Sequence, residues 1–216
     1  MSKKHKILIV DDHPMMRKGM AMTLDEEIDL EVTGQADSAE EAIEWLNSNE
    51  VDLAVIDISL PGMNGIELVK HIRHMYPHIK MLVISRHEED LYAERAIKAG
   101  ARGYIMKVDA GEKVVQALRN ILKGGLYVSE KISQRILMQM AGGSDLEDDP
   151  IHQLSDRELE VFELIGKGYN NKGIADHLHV SVKTVETYRS RIKDKLDIEH
   201  SGQLVQQAVQ WLNSKG

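Results

Sequence analysis

Five short apolar runs alternate with amphipathic stretches through the first 124 positions of this 216-residue chain. The runs Lys6–Val10, Leu30–Gly34, Leu53–Ile56, Lys80–Ile84 and Gly103–Met106 are too short for helices, and most lack polar alternation, which predicts strands buried on both faces. Between them, Met15–Leu24, Ala39–Leu46, Ile66–Met75, Leu91–Ala99 and Glu112–Leu122 carry apolar side chains at helical spacing. Strands covered on both faces need helices on both sides, so five β/α units predict an α/β domain with a doubly wound five-stranded parallel sheet. Pro14 is expected to open the first helix, where its missing N–H costs nothing.

The pattern changes beyond that point. Glu130–Met140 reads as a further helix, and 141–150 (Ala-Gly-Gly-Ser-Asp-Leu-Glu-Asp-Asp-Pro) reads as a linker, because Gly, Ser and clustered carboxylates bury too little apolar surface to offset chain ordering. From 151 onward no strand signal remains. Ser155-Asp-Arg-Glu158 is a capping box that opens a helix through Leu164, with Gly166 and Gly168 ending it, and helical stretches follow at Lys172–Leu178, Val182–Leu196 and Gly202–Leu212. The predicted organisation is an α/β domain over 1–124, a connecting helix and acidic linker over 125–150, and a small all-α domain over 151–216.

Composition narrows the classes. At 42% hydrophobic and 29% charged residues the chain is of ordinary globular make-up, and it has no apolar run near the roughly 18 residues of a membrane span. Only Ile7–Val10 is apolar behind the polar start, too short for a secretory signal, so a cytoplasmic location is expected. The absence of Cys excludes disulfides, thiol catalysis and thiolate metal sites. Eleven methionines are scattered along the chain and are expected to fill the core, and His71, His74 and His78 read as a solvated surface. The net charge of −8 argues against a general polyanion binder, yet it is uneven: residues 1–124 contribute −5, 125–150 contribute −3, and 151–216 are neutral, with a basic surplus in Val180–Lys195.

In a doubly wound sheet, the residues just past the strand C-termini share one crevice, and here those positions hold Asp11, Asp12, Asp57, Ser85 and Lys107. Three converging carboxylates repel one another unless a cation sits among them, and an all-oxygen site with room for water and phosphate suits Mg²⁺. With that charge screened, Asp57 can attack a phosphoryl group while Lys107 and Ser85 stabilise its equatorial oxygens.

These residues, with Leu60-Pro61-Gly62-Met63-Asn64-Gly65 after Asp57 and Gly103-Tyr104-Ile105-Met106 before Lys107, resemble a response-regulator receiver domain across all five units. The resemblance implies that Asp57 accepts phosphate from a sensor histidine kinase, that Asp11 and Asp12 help hold Mg²⁺, and that Ser85 and Tyr104 form a switch pair. Arg86 and Val108 depart from the usual pattern, which has a smaller residue after the Ser and a Pro after the Lys. Neither departure removes a chemical group.

In the last third, Ile174–Leu178, the turn His179-Val180-Ser181 and Val182–Leu196 follow helix-turn-helix order. Val185, Tyr188, Ile192 and Leu196 make the buried stripe of the second helix, and Lys183, Glu186, Thr187 and Ser190 lie opposite. Leu154-Ser-Asp-Arg-Glu-Leu-Glu-Val161, Val180-Ser-Val-Lys-Thr-Val185 and Arg189-Ser-Arg-Ile192 resemble the LuxR-type DNA-binding domain, and the whole chain resembles the NarL/FixJ class of response regulators. That resemblance implies base-edge contacts from Lys183, Glu186 and Thr187 and phosphate contacts from Thr184, Arg189, Arg191 and Lys193. Gly173 and Tyr188 depart from the common Glu and His of the family. The implied partners are double-stranded promoter DNA and a second copy of the chain, paired when phosphorylated or DNA-bound through the final helix, whose Leu204, Ala208 and Leu212 recur at helical spacing and need cover from their own domain or from a twin.

The expected function is a phosphorylation-switched transcriptional regulator of a two-component system, not a turnover enzyme. A Mg²⁺-dependent phosphatase with an aspartyl-phosphate is disfavoured because Ser59 stands two residues past Asp57, where such enzymes generally need a carboxylic general acid. A nucleotide-binding protein is disfavoured because no Gly-rich loop follows the first strand.

Overall fold

The computed structural model describes residues 4–87, 89–140 and 150–214. The chain divides into two compact units, Met1–Gly142 and Gly143–Gly216. The acidic linker predicted over 141–150 lies outside the described residues except for Pro150.

In the first unit, strands β1 (His5–Val10), β2 (Leu30–Ala36), β3 (Leu53–Asp57), β4 (Lys80–Ser85) and β5 (Gly103–Met106) form one parallel sheet in the order β2-β1-β3-β4-β5. The intervening helices are α1 (Pro14–Asp25), α2 (Ala39–Leu46), α3 (Gly65–Met75), α4 (Glu89–Ala99) and α5 (Ala110–Leu122). This is the architecture expected from the sequence. The central strands β1, β3 and β4 are almost wholly buried, whereas edge strand β2 alternates between buried and exposed positions. On one face, Ile7, Ile9, Leu53, Val55, Leu82 and Ile84 pack with Leu24 of α1 and Val114, Leu118 and Ile121 of α5. Because β1 lies between β2 and β3, the strand order reverses beside it, and the C-termini of β1 and β3 open a shared crevice.

Pro14 is the first residue of α1, as expected. α4 begins at Glu89, two residues before the predicted Leu91, with Glu89 and Asp90 in the first turn where carboxylates complement the helix dipole. The methionines do not all fill the core: Met20 and Met81 are buried, while Met15 and Met22 on α1 are 83% and 70% exposed. A helix at Glu130–Met140, α6, packs on α4 and so belongs to the first unit.

The second unit contains α7 (Asp156–Gly166), α8 (Asn171–Leu178), α9 (Val182–Lys195) and α10 (Ser201–Asn213) after a 3-10 turn at Pro150–Gln153. α7 packs against α9 and α10, and α8 against α9. Gly166 allows the close approach of α10, since a Cβ there would lie 2.6 Å from the Ala208 carbonyl oxygen. Leu204 and Ala208 are fully buried in this packing, leaving Val205 and Val209 exposed on the outer side of α10.

The Ser155/Glu158 capping box is present and has a tertiary role. Glu158 Oε2 accepts from the Ser155 N–H at 2.7 Å and from Lys195 Nζ at 2.6 Å, tying the start of α7 to the end of α9. Desolvation pushes the Glu158 carboxyl up, but the bonds from Lys195 and Ser155 together outweigh it and hold the group below its ordinary range. A carboxyl lowered in the folded state stabilises the fold above its unfolded pKa, and that contribution is lost as pH falls through the folded value. Glu158→Gln is therefore expected to lose about 1 kcal/mol at pH 7 by urea unfolding, with the deficit shrinking as pH falls below about 4.

Candidate functional site

Asp57 ends β3 and is held by the geometry of the loop that follows. The Ile58 carbonyl accepts from the N–H groups of Leu60 at 2.9 Å and Gly65 at 2.8 Å, folding the loop back on itself. Gly62 takes a left-handed φ of 70°, and the buried Asn64 caps α3 by accepting from the Glu67 N–H at 2.9 Å. Gly65 fits where no other residue would, because a Cβ there would stand 1.9 Å from the Asp57 carbonyl oxygen.

At the end of β1, Asp11 Oδ1 accepts from the His13 N–H at 2.8 Å. Lys107 bridges the two strands, with Nζ 2.7 Å from Asp57 Oδ2 and 2.8 Å from Asp11 Oδ2. Asp57 is 2% exposed, and its Oδ1 is buried with no hydrogen-bond partner. Burial pushes the Asp57 carboxyl up against the pull of Lys107, and the neighbouring Asp11 and Asp12 add to the rise. One ligand atom from each of Asp11, Asp12, His13 and Asp57 can lie within 4.8 Å of the others. The orphaned oxygen among hard carboxylate donors fits a divalent cation such as Mg²⁺. His13 was not anticipated from the sequence. Its Nδ1 lies 2.5 Å from Asp12 Oδ1 and 3.3 Å from Asp11 Oδ1, a proximity that only the turn after β1 creates.

The structure also brings Ser85 and Tyr104 together, through His87. The Ser85 side chain is fully buried and its Oγ accepts from the His87 N–H at 3.1 Å. The Tyr104 hydroxyl donates to the His87 carbonyl at 2.8 Å, so the ring already points inward. The His87 imidazole stacks on Tyr92 with centroids 4.4 Å apart, and its Nε2 lies 2.9 Å from Ser59 Oγ. One loop residue thus joins Ser85 and Tyr104 to α4 and to the segment after Asp57. Its sequence position carried no such signal, since the contacts come from four separate elements. Arg86 and Val108 both face solvent.

In the second unit, His179 takes a left-handed conformation at the end of α8, and Ser181 caps α9 by accepting from the Thr184 N–H at 3.0 Å. Val185 and Ile192 face the interior as predicted, while Tyr188 and Leu196 are only half-buried. Ser181, Lys183, Thr184, Thr187, Tyr188 and Arg191 line one shallow recess on the outer side of α9. Tyr188 belongs to this exposed face as well as to the packed stripe. Glu186 is exposed outside the recess, Lys193 is half-buried, and burial lowers the affinity of the half-buried Arg189 for its proton.

A receiver-type sheet with an acidic pocket at its C-terminal edge, together with a separate helix-turn-helix unit, defines a response regulator with a DNA-binding output. Known families agree. Residues 7–119 match the response regulator receiver domain and residues 152–208 match the bacterial regulatory proteins of the luxR family, so the chain belongs to the response regulators with a LuxR-type DNA-binding domain. It is 35% identical over 209 residues to the oxygen regulatory protein NreC of Staphylococcus haemolyticus, covering 94% of this chain and 96% of that protein. NreC of Staphylococcus carnosus is 34% identical over the same shares. Among solved structures, a LuxR-family two-component response regulator from Aurantimonas sp. SI85-9A1 is 32% identical, with a TM-score of 0.58 over 64% of this chain and 99% of that one. RcsB of Salmonella enterica serovar Typhimurium, bound to promoter P1flhDC with the phosphomimetic BeF3-, gives a TM-score of 0.63 at 24% identity over 95% and 98% of the two chains, a likeness of fold. The protein is a phosphorylation-dependent, DNA-binding transcriptional regulator of the two-component type. No described helix is long and apolar enough to cross a membrane.

Proposed function

We propose that residues 1–124 act as the receiver and accept phosphate on Asp57 from a sensor histidine kinase, while residues 151–216 read promoter DNA in the cytoplasm. The observation that carries this reading is the buried Asp57, with Oδ2 held by Lys107 and Oδ1 left without a partner in a pocket of carboxylates. A carboxylate oxygen of Asp57 attacks phosphorus, the P–O bond forms as the P–N bond to the kinase histidine breaks, and the electron pair returns to the imidazole. Lys107 follows the developing charge on the phosphoryl oxygens, and Ser85 supplies a hydroxyl to them. Asp11, Asp12 and Asp57 would hold Mg²⁺, which when bound neutralises charge on the transferring group. The chain modifies itself and has no turnover on external substrates in this reading.

On DNA, α9 enters the major groove, with Lys183, Glu186 and Thr187 at base edges and Thr184, Arg189, Arg191 and Lys193 at phosphates. The common recess supports Lys183, Thr184, Thr187 and Arg191 most directly. NreC and RcsB are the similar proteins named for regulation and for DNA-bound dimers, respectively. A homodimer through the exposed Val205 and Val209 of α10 fits two half-sites, and one helix pair is small enough to need phosphorylation to assist it. Gel-shift and sedimentation titrations of the full chain test this. Labelling Asp57 is expected to tighten DNA binding about tenfold or more and to shift the mass toward a dimer. Unchanged affinity and mass at complete labelling would show that Asp57 does not control the DNA-binding unit.

A further inference from the structure

The chain does not leave the first unit at the end of α5. After a turn at Gly124 it runs alongside β5: the Tyr127 N–H donates to the Arg102 carbonyl at 2.9 Å, and the Tyr127 carbonyl accepts from the Tyr104 N–H at 2.8 Å. The backbone of the switch tyrosine is therefore paired to the segment that opens α6. The next contacts all fall on α4. The Ser129 N–H donates to Glu89 Oε1 at 2.9 Å, and Lys131 Nζ lies 2.5 Å from Asp90 Oδ2. Arg135 donates to the Asp90 carbonyl at 3.0 Å and lies 3.8 Å from the carboxylates of both Asp90 and Glu94. Ile132, 1% exposed, is buried between these anchors in sequence.

Two cations of α6 thus face carboxylates in the first half of α4, and Glu89 follows His87 by only two residues. His87 is the residue that bonds Ser85, Ser59 and Tyr104 and stacks on Tyr92. Fixing the first turn of α4 fixes where that loop can stand. We propose that Lys131 and Arg135 are positioning residues for the phosphoryl site: by holding Asp90 and Glu94 against α6, they hold the first half of α4 and with it His87, which bonds Ser85 on the strand next to that of Asp57. Coupling between two sites is reciprocal, so filling the pocket tightens the docking of α6, the helix from which the chain continues toward the DNA-binding unit. This rests on Asp57 being the acceptor.

The test uses the full chain with Mg²⁺ and beryllofluoride, a phosphoryl mimic. Wild type is expected to bind the mimic and to slow hydrogen exchange at residues 129–138. Lys131→Glu with Arg135→Glu should bind it about tenfold more weakly and lose that added protection, and adding Asp90→Lys should restore both. The conservative pair Lys131→Arg and Arg135→Lys should behave as wild type, and unchanged protection in β1, β3 and β4 verifies that each variant is folded. Should the doubly reversed variant fail to fold, Lys131→Gln is measured instead and should bind about threefold more weakly at low salt, with the difference vanishing at high salt. A folded reversed variant, or Lys131→Gln, that binds the mimic as wild type does would overturn the proposal while leaving Asp57 as the acceptor. Failure of the wild type itself to bind would overturn both.

Discussion

Asp57→Asn is expected to abolish the single phosphoryl adduct that a small phosphodonor with Mg²⁺ places on the chain, as read by intact mass. Asp11 cannot substitute. Asp11 Oδ1 is occupied by the His13 N–H and its Oδ2 by Lys107, whereas Asp57 presents a buried oxygen with no partner beside the same ammonium. Equal labelling of the variant and wild type would remove Asp57 from its role. The substitution carries a second expectation, opposite in sign to most buried substitutions. Because the Asp57 carboxyl is pushed up by burial, its ionisation opposes folding: the favourable contribution is complete below the unfolded pKa and disappears as pH rises through the folded one. Asp57→Asn should therefore be more stable than wild type at pH 7 without metal, with Lys107 still paired to Asp11. Mg²⁺ at about 100 times its Kd should raise wild-type stability by about 2.7 kcal/mol and the variant much less.

Gly65→Ala is expected to be the most damaging conservative change in the first unit. The added methyl would meet the Asp57 carbonyl oxygen at 1.9 Å and its carbon at 2.7 Å, and both are backbone atoms of a central strand that cannot rotate away. Relief requires the first turn of α3 or the end of β3 to shift, which also displaces the Asp57 side chain. A loss of about 3 kcal/mol or more in urea unfolding, together with slower phosphoryl uptake, is the expected result. Gly111→Ala in α5 is the control: nothing lies within 4 Å of its added Cβ, and the change should stabilise by about 0.5–1 kcal/mol. Similar effects at the two positions would mean that the loop after β3 yields more easily than its packing indicates.

The five β/α units and four terminal helices were legible because burial on two faces and burial on one face leave different periods in a sequence. Asp11, Asp12, Asp57, Ser85 and Lys107 were legible as a group because parallel strands deliver their C-terminal residues to one edge, whatever the intervening helices contain. The capping box at Ser155 was likewise a local pattern, and local hydrogen bonding is sufficient to produce it. Other features had no local cause. The exposure of Met15 and Met22 depends on which side of α1 meets the sheet, and Tyr188 reaches the α9 recess through side-chain packing that spacing alone does not resolve. His13 meets Asp12 only because the chain turns sharply after β1, and Lys195 meets Glu158 across 37 residues because α9 packs on α7. The role of His87 and the docking of α6 on α4 belong to the tertiary structure entirely. Each is a convergence of short-range polar contacts from elements distant in sequence, and such contacts leave no periodic trace until packing has brought their partners within reach.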